Sequence, residues 1–475
     1  MGIMAYGAYV PRRRLQRSAI LAANGWFSPG LKSLSKGERA ICNWDEDPIT
    51  MAVEAARDCL FNVDRSTLSA LTFASTTAPF SDRQNAVLIS GALNLSDEVR
   101  TSDAGGGQRA GLGALLYALE SGTRKPHLCV ASDKRIARPG SDAEMINGDA
   151  AAAFLVGPGD PVARLISSHS VSIDFVDRFR EQGSRFDYEW ESRWVREEGY
   201  GRIGLEAVVR ALEKSGLAPR DVDRFAFAAG MSGVARVLAT KAGIRGEALQ
   251  DDLSLSVGHA GVAQPLLMLV HALDAAAPGE KILVAAFGQG CDVLILEKLA
   301  PADRACSGLQ AALGSRRVED NSLRFLAFNG LIELERGMRA ELDQKSLLSA
   351  AYRHRRTVLG LVGGRCRATG AIQFPRTRLS VAQGAANLDT QEDYPLADRK
   401  ASILTFTADR LGYTPDPPAF YGMLEFEGGG RMNVDFTDAS ADEIDVGRTM
   451  RMMFRIKSID EARSFTRYFW KAAPA

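Results

Sequence analysis

Over residues 1 to about 300, short apolar runs of strand type alternate with segments of helical period, and this alternation limits the fold more than any other feature. Residues 71–77, 127–132, 151–156 and 281–287 read as buried strands, and 49–60, 111–119, 203–214 and 265–275 as helices. Strands alternating with helices predict an α/β fold with a largely covered sheet. The order repeats. A turn and helix at 103–119 lead to a strand at 127–132, and a turn at 258–265 with its helix leads to a strand at 281–287. An internal duplication is the expected architecture. With 475 residues, 46% of them hydrophobic, the chain can build more than one core.

The first turn, Asp103-Ala-Gly-Gly-Gly-Gln-Arg-Ala-Gly-Leu-Gly-Ala-Leu-Leu-Tyr117, pushes a side chain out at a strand-to-helix elbow above a helix start. Together with Gly258-His-Ala-Gly-Val-Ala-Gln-Pro265 and Phe287-Gly-Gln-Gly-Cys291 it resembles the thiolase superfamily, in the branch of hydroxymethylglutaryl-CoA synthases and type III ketoacyl-carrier-protein synthases. The resemblance implies a duplicated five-layer αβαβα fold and a site built from a nucleophilic Cys, a His, and an Asn or second His. Gln108 falls on the Cys position; Gly107 is the other candidate, since neighbouring glycines blur the register. An amide forms no thioester. The segment 228–233, where the first His is expected, holds none, and 75–80 lacks the family's glutamate. His259 is the one imidazole on a family position, either polarising a thioester oxygen or held structurally by backbone carbonyls. Gln108 reads as an oxyanion donor or substrate clamp, or as a bland replacement. Gly107, Gly288, Gly290 and Cys291 are the substrate-binding candidates, with packing as the alternative role for Cys291. The arginines of 174–180 are placed to meet CoA phosphates or to lie on a solvated face.

Lys+Arg and Asp+Glu are equal at 58 each, which gives no support to nucleic-acid or membrane-surface binding driven by bulk charge. No apolar run approaches the ~20 residues that span a bilayer, and the start lacks the pattern of a secretory signal. Tyr6 stands where a myristoylation motif needs Ser or Thr. The six cysteines (42, 59, 129, 291, 306 and 366) are scattered, as in reduced cytosolic proteins. The expected setting is the cytoplasm.

Residues 301–350 read as a charged helical linker. Beyond it, strand-like runs at 404–409, 421–426, 451–456 and 468–472 with Gly/Pro turns predict a small barrel. This region resembles the OB-fold proteins, preceded by a zinc hook, that accompany thiolases. Gly364 to Arg376 carries the hook likeness, and Phe406-Thr-Ala-Asp409 with Phe426-Glu-Gly-Gly-Gly-Arg431 the barrel likeness. Cys366 has no second thiol or His nearby, so no zinc is expected, and the hook is expected to fold by apolar packing alone.

The domains are thus expected at 1–300 (thiolase-like, acyl-CoA), 301–350 (linker) and 351–475 (degenerate hook and OB-fold). The resemblance implies an enzyme that makes or breaks a C–C bond beside a CoA or acyl-carrier thioester, of aldol or retro-aldol type, without a cysteine acyl-enzyme. Two alternatives stand beside it: a hydroxymethylglutaryl-CoA or ketoacyl synthase, and a non-catalytic subunit or scaffold. A homodimer is implied, with a paralogous thiolase subunit as a further partner. The CoA thioester would be substrate, and no permanently bound cofactor is expected.

Overall fold

The computed structural model describes residues 1–122, 125–301, 308–341, 345–382 and 388–475. Cys306 and the end of the charged run at 335–343 lie outside the described residues. The chain divides into two compact units: Met1–Cys42, Asp47–Ala86 and Asp97–Asn329 in the first, and Asn43–Glu46, Val87–Ser96 and Gly330–Ala475 in the second. The expected 301–350 linker is therefore split at Asn329, with the helices Gly308–Gly314 and Ser322–Phe328 in the first unit.

Nine strands form the main sheet of the first unit: β1 (Gly2–Tyr9), β2 (Ala70–Ala74), β3 (Arg100–Ala104), β4 (His127–Asp133), β5 (Ala150–Gly157), β6 (Ala163–Ser172), β7 (Arg224–Ala228), β8 (Lys281–Phe287) and β9 (Gly290–Lys298). Their order is β7-β8-β9-β6-β1-β5-β4-β2-β3. The expected duplication is visible in the pairing. In one half β2 runs parallel to β3 and β4, then β4–β5 and β5–β1 are antiparallel. In the other, β7 runs parallel to β8, then β8–β9 and β9–β6 are antiparallel. The counterpart of β3 there is reduced to one parallel bridge, Phe225↔Leu249.

Four helices matter for the site: α1 (Pro48–Cys59), α2 (Ala110–Glu120), α3 (Leu205–Ser215) and α4 (Gln264–Ala275). Each lies within two residues of its expected span. Asp47 starts α1 by accepting a hydrogen bond from Thr50 N at 2.9 Å, while Thr50 Oγ1 accepts from Asp47 N at 2.9 Å. Strand period 2 then sorts side chains into layers. On β8, Ile282, Val284 and Ala286 pack in one cluster with Leu112, Leu115 and Leu119 of α2 and Leu266 to Leu273 of α4. Leu283, Ala285 and Phe287 face the opposite way, into a cluster with α3 and the helix Val234–Ala242. Because α2 and α4 share one core with strands of both halves, they form a central helical layer. The two packing faces make nearly every β8 residue apolar, which is why it reads as a continuous run.

In the second unit five strands, β10 (Ala401–Asp409), β11 (Ala419–Phe426), β12 (Arg431–Asp435), β13 (Thr449–Asp460) and β14 (Phe465–Pro474), form a sheet in the order β12-β11-β10-β13-β14. Its two ends meet: Phe436 bridges Ala472 in parallel, and Thr437 N donates to Ala472 O at 2.8 Å. Trp470 and Phe454 fill the interior, edge to face at 5.4 Å. The segment expected as a hook is a three-stranded sheet, Ile372–Gln373 beside Val362–Cys366 beside Gln391–Pro395. Apolar packing alone does not hold it. The buried Gln373 donates to Thr377 Oγ1 at 2.8 Å and Leu379 O at 3.1 Å, and accepts from Val381 N at 2.9 Å. A buried amide must satisfy both its ends, and here it ties the loop together in doing so. Cys366 Sγ sits 3.2 Å from Thr390 Oγ1. Among the described residues no cluster of three His, Cys, Asp or Glu could hold a metal ion, and no helix is long and apolar enough to cross a membrane.

Candidate functional site

The elbow forms where β3 ends at Ala104 and the chain must reverse within a few residues to enter α2. Gly106 takes φ +88°, a conformation open to glycine, and nothing crowds it. Arg109 then anchors the turn, donating to Asp292 Oδ1 at 2.8 Å and to Ser172 Oγ at 2.9 Å. Gln108 is left at the helix entrance. The second turn is fixed more deeply. His259 N donates to Ile146 O at 2.8 Å, and its carbonyl accepts from Gly148 N at 3.0 Å. Asp133 at the end of β4 gathers the neighbouring loops, accepting from Ser75 Oγ, Thr76 N, Thr77 Oγ1 and Val262 N at 2.8 to 3.0 Å.

Gln108 and His259, from corresponding turns of the two halves, line one narrow cavity together with Asp177, Arg178, Tyr200, Ala228, Gly230 and Phe287. About 10 Å³ of it is open to the centre of a water-sized sphere, room for roughly one water molecule. Among the described residues one polar end of the Gln108 amide has no hydrogen-bond partner in its buried place; O and N of an amide are interchangeable in this respect. His259 is 7% exposed. Desolvation, with Arg178 and Arg135 adding repulsion, holds its pKa well below the ordinary 6.5, so the ring is neutral near pH 7. Gly261 N donates to Nδ1 at 3.3 Å, which places the ring proton on Nε2 as a donor.

Three further groups line this cavity. Asp177 and Arg178 come from the 174–180 segment, whose arginines were expected to meet CoA phosphates or to lie on a solvated face, and Arg178–Phe179 pairs there with Tyr188–Glu189 as a short hairpin. Burial raises the Asp177 carboxyl pKa and lowers that of the Arg178 guanidinium. Tyr200 lies on a wide π-helical stretch, Val195–Gly204, running into α3. Its phenol is pushed up to about 12 by burial, and its oxygen accepts from Gly230 N at 3.4 Å. Such a stretch has no simple period to read, though π-turns do gather at functional sites.

The remaining candidates sit elsewhere. Cys291 does not reach the cavity: it is 0% exposed within β9, faces the cluster around α3, and has its thiol pKa raised by burial and by Asp292. It is a packing residue, because alternation along the strand turns it away from the α2 side. Gly290 takes φ +117°, and a Cβ there would fall 1.9 Å from Val171 O, so its role is close strand pairing. Neither Gly107 nor Gly288 lines the cavity. Gly288 lies against the elbow, where a Cβ would come 3.1 Å from Gln108 N.

No family model matches the sequence. The hydroxymethylglutaryl-CoA synthase of Aeropyrum pernix is 32% identical over 295 residues, 61% of this chain and 82% of that protein. That of Thermococcus gammatolerans is 30% identical over 298 residues, 61% and 83% respectively. Among solved structures, PksG, an HMG-CoA synthase from Bacillus subtilis, superposes with TM-score 0.59 at 16% identity, covering 73% of this chain and 94% of that one. MvaS in complex with 3-hydroxy-3-methylglutaryl coenzyme A gives 0.58 at 19%, covering 70% and 92%. The 3-oxoacyl-carrier-protein synthase III of Aquifex aeolicus gives 0.55 at 18%, covering 62% and 99%. At those identities the structures speak for the fold, which is thiolase-like, while the sequence relatives carry the closer kinship. On that sequence kinship the chain belongs to the hydroxymethylglutaryl-CoA synthase family.

Proposed function

We propose that the first unit handles a CoA or acyl-carrier thioester and forms or breaks the C–C bond beside its carbonyl while the acyl group stays on its carrier. The observation that carries this reading is the cavity itself. Among the described residues its lining includes Gln108 and a neutral His259 but no thiol. In the condensing direction, which the names of the relatives favour, the Asp177 carboxylate takes the α-proton of the thioester. The electron pair moves onto the thioester oxygen, held by His259 Nε2–H and the Gln108 amide. The enolate carbon attacks the carbonyl of an acceptor aldehyde or ketone, one C–C bond forms, and the alkoxide recovers a proton from Asp177 or from the Tyr200 hydroxyl. The reverse sequence is retro-aldol cleavage.

A second reading, a non-catalytic subunit beside a cysteine-bearing paralogue, is favoured by the narrowness of the cavity. The second unit is read as OB-fold-like, supported by its strand order and the parallel closure at Phe436 and Ala472. A homodimer through the sheet that carries the elbow is supported by β3, an edge strand with exposed Ser102 and Asp103. The test is to incubate the purified full chain with β-hydroxyacyl-CoAs and assay released aldehyde or ketone, then to run the condensation with acyl-CoA and carbonyl acceptor. Product without a covalent acyl adduct by intact mass supports the reading. No product in either direction favours the subunit, and an acyl adduct ends the non-covalent route.

A further inference from the structure

The equal totals of acid and base conceal an uneven stretch. Between Asp343 and Asp389 the sequence holds eight Lys and Arg residues and no Asp or Glu. In the second unit this stretch forms two short helices, Leu348–Arg353 and Arg355–Val358, and the strand Val362–Cys366. Its arginines converge on the neighbouring strand Gln391–Pro395. Asp393 is shared by Arg356 and Arg376, and Glu392 accepts from Arg365 at 2.7 Å. The Tyr394 ring lies under Arg365 at 5.4 Å and under Arg399 at 4.3 Å. Arg353 and Arg355 of the helices bring the guanidiniums to six, against the three carboxylates of Glu392, Asp393 and Asp398. Exposed pairs of this kind are weak, and the excess positive charge faces solvent.

Apolar side chains stand next to that charge. Leu347, Leu348 and Tyr352 are 63%, 61% and 68% exposed. Leu348 and Tyr352, four residues apart, share one side of the first helix. The Tyr352 ring packs under Arg355 at 5.0 Å, so the apolar stripe runs on into the arginines. Side chains this exposed protrude from the surface instead of lining a groove. A rigid partner would need a matching hollow, whereas a lipid boundary yields to protruding apolar groups while guanidiniums reach its headgroups. We propose that this face of the second unit binds the surface of an anionic membrane. Leu347, Leu348 and Tyr352 enter the headgroup boundary, and the arginines pair with lipid phosphates. The proposal is independent of the thioester reading.

The experiment is co-sedimentation of the purified full chain with vesicles of phosphatidylcholine alone and of phosphatidylcholine with phosphatidylglycerol at about 2:1. It is run at about 0.1 M and about 1 M salt, where the screening length falls from about 10 to about 3 Å. Binding to the mixed vesicles is expected to be at least about tenfold tighter than to the neutral ones, and to be lost at the higher salt. Arg353→Gln combined with Arg356→Gln should weaken it about tenfold or more. Leu347→Ser combined with Leu348→Ser should weaken it by a similar factor of about ten and leave its salt dependence intact. Both variants alter exposed side chains, and thermal melts matching the unaltered chain report that they are folded. Equal binding to the two kinds of vesicle, or binding to neither, overturns the proposal. Binding to mixed vesicles that neither variant weakens places the lipid contact elsewhere and overturns it too. Binding of poly-glutamate or single-stranded DNA through these arginines, without binding of vesicles, assigns the face to an acidic macromolecule and overturns it as well.

Discussion

At position 108 a single side chain decides between covalent and non-covalent chemistry. Gln108→Cys restores a thiol at a helix entrance, where thiolates are stabilised. The variant is expected to gain one acyl mass on incubation with an acyl-CoA, whereas the unaltered chain gains none; intact-mass spectrometry reads both. His259→Ala removes the Nε2–H donor and should lower turnover by about 10²–10³, as loss of one oxyanion donor does elsewhere. The same histidine links folding to pH. Its folded pKa lies below the 6.5 of the free side chain, and His127 is lowered too, by desolvation and Arg100. Above pH 6.5 neither state takes up the proton and stability is full. Below it the unfolded chain is protonated first, so stability falls as the pH drops from 6.5 toward the depressed folded values. Thermal melts between pH 7 and 5 should show this decline, and His259→Gln should make it shallower.

Between elements, the site depends on how closely the two central helices approach. A Cβ on Gly111 of α2 would lie 2.1 Å from Val262 O, in the turn that leads into α4. Backbone cannot yield as a flexible side chain can. Gly111→Ala is expected to cost about 1–3 kcal/mol as overpacking, read from urea melts, and to part Gln108 from His259. The elements most legible in the sequence were of this central kind. Apolar runs such as 281–287 have one reading when both faces are covered. The π-helical stretch at Val195–Gly204 and the two-residue strands of the 178–189 hairpin had none, since their side chains follow neither the 3.6 nor the 2.0 period. That is where Tyr200 and Asp177 were hidden.

For the molecule as a whole, the second unit is completed by residues far upstream. Arg455, 0% exposed, pairs with Glu46 at 3.0 Å and Asp438 at 2.7 Å, and Lys471, 2% exposed, pairs with Asp45 at 2.8 Å. Lys471 also lies 4.0 Å over the Trp44 ring. Removing one partner of a buried pair strands the other charge, so Asp45→Ala should destabilise this unit by about 3–5 kcal/mol. Residues 330–475 expressed alone lack Asn43–Glu46 and should show no cooperative unfolding transition in circular dichroism. By itself the sequence determined the alternating strands and helices, the doubled turn-and-helix pattern and the amide at the elbow, because local period and backbone demands are written in neighbouring residues. The folded chain alone settles that Gln108 and His259 meet, that Asp177, Arg178 and Tyr200 join them, and that Asn43–Glu46 belong to the second unit. Each of these is a question of which distant residues share a desolvated space, and spacing along the chain does not encode it.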